Sequence, residues 1–330
     1  MTKRVACGFV ALSLAMTSLL GQNYTGEITH EDQRFEAVVG DWQNFYGSAV
    51  AVDGNWAVVG EHNKWRGGDS GDAHVGAVHF FERTPRGWVE RQTVTPLDAN
   101  RSDQFGRPVA ISGDTAVVGV PNHDNGAIST GAVYVYTLAN GVWSQTQKLE
   151  VRPHSSGFGL GIGLHGDSLI VGAPGDSLVA HWWGIAYAYE RIAGTWTLVQ
   201  VIQPEGFRPD LYSDLHFGYQ VSLHGDLAMI STWDRDGHPG WTFGYGRQVV
   251  AYERIAGVWV QKEVIGDPAP FDPNSGAYDF GISTALSDGV LAVGAPRPSG
   301  FYPRNGKVSV FERQVDGSWL STQELESSQP

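Results

Sequence analysis

The chain has 330 residues, a formal net charge of −13 and 43 glycines, and it lacks long apolar stretches at helical spacing. The surplus of carboxylates excludes a basic nucleic-acid footprint and electrostatic docking on an anionic membrane. Aromatic residues at 12% beside so much glycine point to many short strands joined by turns, an all-β fold.

The first segment, residues 1–21, reads as a secretory signal. Lys3 and Arg4 precede an apolar run from Val5 to Leu20, with small residues at Ser18 and Gly21. That run with these flanks suits an exported chain cut near Gly21 better than a membrane span. Cys7 is the only cysteine and would leave with the signal, so the mature chain offers no disulfide, thiolate metal site or cysteine nucleophile. Within residues 22–44, the stretch 33–44 alternates Phe35, Ala37 and Val39 as an outer strand would. It is expected to lie beside the last repeat as a latch, because a free sheet edge is an aggregation hazard.

From residue 45 onward one unit recurs. FYGSAVAVDGNWAVVG, FGRPVAISGDTAVVG, FGLGIGLHGDSLIVG, FGYQVSLHGDLAMIS and FGISTALSDGVLAVG begin five copies, led by Gly47, Gly106, Gly159, Gly218 and Gly281. Each copy continues through GAVHFFER, GAVYVYTL, GIAYAYER, RQVVAYER or GKVSVFER to a tryptophan: Trp88, Trp143, Trp196, Trp259 or Trp319. The units span about 45–104, 105–157, 158–216, 217–279 and 280–325. Each reads as four antiparallel strands, A to D: A from the Phe-Gly to a Gly-Asp turn, B β-branched, C alternating aromatic and aliphatic, D led by the tryptophan. Four strands at this period are the mark of a β-propeller, here with five blades, in which each blade needs neighbours to bury its faces.

The Phe-Gly opening and the Gly172-Ala173-Pro174 and Gly294-Ala295-Pro296 endings of strand B resemble the FG-GAP repeat of integrin α-chain propellers, most closely its bacterial variety. The resemblance covers roughly residues 45–325 and implies an extracellular propeller, often adhesive or ligand-binding, with no single reaction attached. The chain departs from the integrin pattern in having five units rather than seven. It departs again in the A–B turn, which carries one aspartate per unit (Asp53, Asp114, Asp167, Asp226, Asp288) where calcium loops carry several. One carboxylate cannot supply the six to eight oxygens calcium takes. Neither metal nor cofactor is expected.

Strand parity places the A–B and C–D turns on one face and the B–C and D–A connections on the other. The second kind are longer, and variable loops on a rigid scaffold are where function resides. The B–C loops are rich in aromatic rings flanked by carboxylates, a combination suited to sugar rings, peptides or a partner's surface. The candidate ligand-binding residues are Trp65, Asp69, Asp72, Trp182, Trp183, Trp233, Asp234, Asp236, Trp241, Tyr245, Phe301 and Tyr302. The alternative for any of these rings is to fold back and plug the channel mouth.

No catalytic residue is assigned, since no Ser-His-Asp order, nucleophile elbow or zinc-binding helix occurs. The expected function is a secreted or cell-surface, monomeric, non-catalytic propeller that binds an extracellular protein or glycan through its long-loop face. Two other readings stand beside it, a carbohydrate-active propeller enzyme and a structural matrix or surface-layer component.

Overall fold

β-Branched and aromatic residues alternate with polar ones between Gly-rich turns, and the backbone follows that pattern into short antiparallel strands. The computed structural model describes residues 45–64, 75–98, 100, 102–124, 130–151, 155–176, 183–206, 215–233, 248–268, 280–296 and 306–326. The first blade comprises β1 (Tyr46–Asp53), β2 (Trp56–Glu61), β3 (Ala77–Thr84) and β4 (Gly87–Val94). The second comprises β5 (Val109–Ser112), β6 (Thr115–Val120), β7 (Ala132–Ala139) and β8 (Val142–Leu149). A two-residue strand, β9 (Ser155–Ser156), precedes the third blade of β10 (Ile162–His165), β11 (Ser168–Ala173), β13 (Ile185–Ile192) and β14 (Thr195–Ile202), and pairs with β12 (Gly175–Asp176). The fourth blade has β15 (Val221–His224), β16 (Leu227–Ser231), β17 (Val249–Ile255) and β18 (Val258–Ile265); the fifth has β19 (Ser283–Ser287), β20 (Val290–Ala295), β21 (Lys307–Arg313) and β22 (Trp319–Glu326).

Each blade is an antiparallel meander whose strands pair in chain order, and the five sheets form a five-bladed β-propeller with no helix among the described residues. No helix there is long and apolar enough to cross a membrane. The C–D hairpins close on tight turns with left-handed backbone at both central residues, Asn140-Gly141, Ala193-Gly194 and Ala256-Gly257, the turn whose twist matches that of the strands.

The core lies between blades. Val58, Val78 and Phe80 of the first blade meet Ile111, Val118, Tyr134 and Tyr136 of the second, where the rings of Phe80 and Trp143 stack at 4.8 Å. Val117, Val133 and Val135 of the second blade meet Leu169, Val171, Tyr187 and Tyr189 of the third. Ile170, Ala186 and Ala188 pack on Val221, Ala228, Ile230 and Val250, and Met229, Val249 and Ala251 on Leu291, Val293 and Phe311. The Phe-Gly phenylalanines of blades two to five, Phe105, Phe158, Phe217 and Phe280, are buried at these junctions.

Two further contacts recur. A Cβ on Gly60, Gly119 or Gly172, at the end of strand B, would fall 2.0, 2.1 or 1.9 Å from the carbonyl oxygen of Gly106, Gly159 or Gly218 in the following blade. The two glycines of the repeat therefore face each other across the junction, and neither position has room for a side chain. On strand D, a glutamine amide clamps the backbone of the next blade's tryptophan. Gln92 donates to the Trp143 carbonyl at 2.8 Å and accepts from its N–H at 3.0 Å. Gln147 does the same to Trp196 (2.8 and 2.9 Å), and Gln200 to Trp259 (2.9 and 2.8 Å). At the fourth junction Glu263 takes this place and accepts from the Trp319 N–H at 2.9 Å.

Candidate functional site

The short-turn face is tied down by its own residues. Asp53 accepts from the Gly113 N–H at 2.6 Å, and the Arg191 guanidinium bridges Asp114 and Asp167. The hydrogen bond from Arg191 holds the Asp114 carboxyl below its ordinary pKa. Asp288 pairs with His224 at 3.2 Å, and the His224 ring lies 4.7 Å from that of His165. Among the described residues no group of three or more His, Cys, Asp or Glu is placed to hold a metal ion.

On the long-loop face, each B strand ends in Gly-x-Pro at Pro121, Pro174 and Pro296, but the fourth blade has Trp233 at this position and the first has His62. Trp233 is half-buried, and its ring stands 5.3 Å from His216 and 5.2 Å from Tyr219. The group is held from below. The Trp233 N–H donates to the Leu215 carbonyl at 2.9 Å, and His216 Nδ1 bonds the Pro174 carbonyl at 3.1 Å while its backbone adopts φ of 47°. In the first blade His62 stacks on Phe45 at 4.9 Å and 7°, and Phe45 is 57% exposed. Burial lowers the His62 pKa and the nearby Arg107 charge lowers it further, so the ring is a neutral flat surface at pH 7. Aromatic faces held this way suit stacking on a sugar or an apolar side chain.

The first two blades also hold two part-buried polar networks. In the second, His123 Nδ1 bonds Asp103 at 2.9 Å, and Lys148 reaches His123 Nε2 at 2.9 Å and Asp98 at 2.7 Å. Tyr134 donates to Asp98 at 2.7 Å. Burial raises the Asp98 pKa, but the bonds from Lys148 and Tyr134 outweigh it and hold the carboxyl below its ordinary value. Lys148 also pairs with Glu150 at 2.9 Å, so the lysine ties the loop carboxylates to this histidine.

In the first blade His79 bridges two carboxylates, Nε2 to Glu61 and Nδ1 to Glu90, each at 2.9 Å. Burial opposes ionisation of Glu61, and hydrogen bonds from His79 and Lys64 more than reverse it. Burial pushes the neighbouring Tyr46 up to about 12, helped by Glu90 and Glu61. Both nitrogens of each histidine have fixed partners.

The FG-GAP repeat profile matches residues 88–136, from the last strand of the first blade through the third strand of the second. That match spans four successive strands, the last of one blade and the first three of the next, in a ring of five four-stranded blades. The chain is a five-bladed β-propeller that carries an FG-GAP repeat. No curated protein matches it.

Of the candidate residues in this FG-GAP propeller, Trp233 stands half-buried among rings on the expected face. Trp183 requires a correction. It is 3% exposed and packs in the core between the third and fourth blades, where its carbonyl accepts from the Phe217 N–H at 3.0 Å, so its ring serves packing. Trp65, Asp69, Asp72, Trp182, Asp234, Asp236, Trp241, Tyr245, Phe301 and Tyr302 lie outside the described residues, as do the signal and latch segments. Phe45, His62, His216 and Tyr219 were missed. The signal that could have found them was the loss of proline at positions 62 and 233.

Proposed function

We propose that this is an exported, non-catalytic binding propeller that recognises a protein or glycan through its long-loop face. The observation that carries this reading is the Trp233–Tyr219–His216 group, a half-buried aromatic platform where three other units have proline. The FG-GAP propeller fold itself is of the binding and adhesion type. Export rests on the sequence of residues 1–21.

The experiment is a glycan and surface-protein binding array with the chain from residue 22, run beside a hydrolase screen. Once a ligand is found, Trp233→Ala and Phe45→Ala should each cost about 2 kcal/mol, roughly thirtyfold in affinity. Asp167→Ala, on the opposite face, should leave affinity within about twofold. Normal binding by folded Trp233→Ala and Phe45→Ala proteins would move the site elsewhere, and turnover of a glycan would make the chain an enzyme.

A further inference from the structure

Strand C carries Glu-Arg near its end in four of the five units, at Glu82-Arg83, Glu190-Arg191, Glu253-Arg254 and Glu312-Arg313. At two junctions the arginine of one blade reaches back to the glutamate of the blade before it. Arg254 Nη2 meets Glu190 at 2.9 Å, and Arg313 Nη2 meets Glu253 at 2.8 Å. The glutamate also meets the unpaired residue of the bulge in its own strand D. Arg91 pairs with Glu82 at 2.8 Å and Lys262 with Glu253 at 3.6 Å.

In the second blade both places hold threonine. Thr137 stands where the other units have glutamate, Thr146 is the bulge residue, and their hydroxyls lie 3.0 Å apart. Arg191 of the third blade therefore has no glutamate behind it. Its Nη1 still bonds Thr115 at 3.1 Å, as Arg254 Nη1 bonds the equivalent Ser168 at 2.9 Å. Two aspartates take the rest of its charge, Asp114 on Nη1 and Asp167 on Nε, and Nη2 makes no bond among the described residues. The space that the missing pair would fill is open. A groove of about 450 Å³ runs there between Thr137, Thr146, Asp114, Asp167, Arg191 and Trp196. That volume lies within the roughly 300–1,000 Å³ of small-molecule sites.

We propose that this groove, on the short-turn face between the second and third blades, binds a neutral sugar residue. Its donors and acceptors are mixed, as vicinal hydroxyls require. The Asp114 and Asp167 side chains are 54% and 63% exposed and accept from hydroxyls, Arg191 Nη2 donates, and the threonines do either. The two carboxylates repel an acidic sugar, and the guanidinium between them repels an ammonium group, whereas a neutral polyol meets neither penalty. The groups are also held before any ligand arrives. Arg191 is fixed by both aspartates and stands 6.0 Å from the Trp196 ring centroid, and Gln147 clamps the Trp196 backbone. Little side-chain freedom is then left to lose on binding. This site lies on the face opposite the Trp233 platform and does not depend on it.

The test titrates the full chain with methyl glycosides of neutral hexoses, uronic acids and hexosamines, followed by saturation-transfer NMR. At least one neutral glycoside should bind with a Kd on the order of millimolar. Thr137→Glu rebuilds the Glu-Arg pair of the next two junctions, so it should keep the fold in a melting curve and weaken binding about tenfold or more. Thr137→Val removes a hydroxyl without filling the groove and should weaken binding about fivefold. Three results would overturn the proposal: no neutral glycoside binds, only an acidic or amino sugar binds, or binding survives unchanged in folded Thr137→Glu. The last would place the sugar elsewhere on the chain. If Thr137→Glu unfolds, Asp167→Asn at an exposed position takes its place, and unchanged binding there has the same meaning.

Discussion

Replacing Gln147 by alanine removes both bonds of one interblade clamp at a half-buried position. Each such bond contributes about 1 kcal/mol net, and leaving the Trp196 N–H and carbonyl without partners adds to the loss. The expected destabilisation is about 2–3 kcal/mol, or a fall in Tm of roughly 4–12 °C, taking about 2–4 °C per kcal/mol. Glu263 offers the converse. A carboxylate accepts from the Trp319 N–H but cannot donate to its carbonyl, so Glu263→Gln supplies the missing bond and should stabilise by about 1 kcal/mol. Gln145→Ala, exposed on the same strand as Gln147, should stay within about 0.5 kcal/mol. Urea unfolding followed by tryptophan fluorescence measures all three. If Gln147→Ala and Gln145→Ala coincide, water replaces the clamp without loss and the reasoning fails.

Gly172→Ala sets a Cβ against the Gly218 backbone and should cost more than about 3 kcal/mol, seen as loss of folded protein. Gly294→Ala meets only a rotatable serine hydroxyl and should be far milder, so equal effects in a melting experiment would contradict the contact. Ala256→Gly relieves a left-handed alanine with φ of 49° and should raise stability by about 1 kcal/mol; a decrease would mean that the strain is absent. Glu61, Glu90 and Asp98 titrate below their ordinary values when folded, whereas unfolded carboxylates titrate near 4. Their stabilisation is therefore complete above about pH 5 and is lost as pH falls through the lowered values. Urea midpoints from pH 7 to 3 should drop accordingly, with a shallower drop in Glu61→Gln, and identical slopes would dismiss its role.

Most of the fold was legible because the unit recurs five times, with turn glycines and tryptophans holding the register. The reason for two of those glycines was not, since Gly172 and Gly218 meet only across blades and each strand by itself tolerates alanine. Nor was the clamp visible, because a glutamine alternating with Ser, Thr and Lys on strand D reads as a solvent-facing position. Trp183 was read as a loop aromatic from its position in the B–C connection, but the D–A chain of the next unit passes over it and closes it into the core. Tyr219 reads as the start of strand A and His216 as the end of the D–A connection before it, so their convergence on Trp233 shows only with the neighbouring loop in place.

The glycine pair and the glutamine clamp also bear on how such a chain grows. Both are made between one unit's end and the next unit's beginning, with the same atoms at the first three junctions, while the fourth keeps its packing with Ser231 and Glu263 in their places. A duplicated unit inserted between two others would find complementary surfaces on both sides with no new mutation. Closing the ring is a separate condition, because a further blade would narrow the angle between neighbours at every junction. Contacts this close, a glycine against a carbonyl and an amide against a backbone, fit one spacing and so also set how many copies one ring takes.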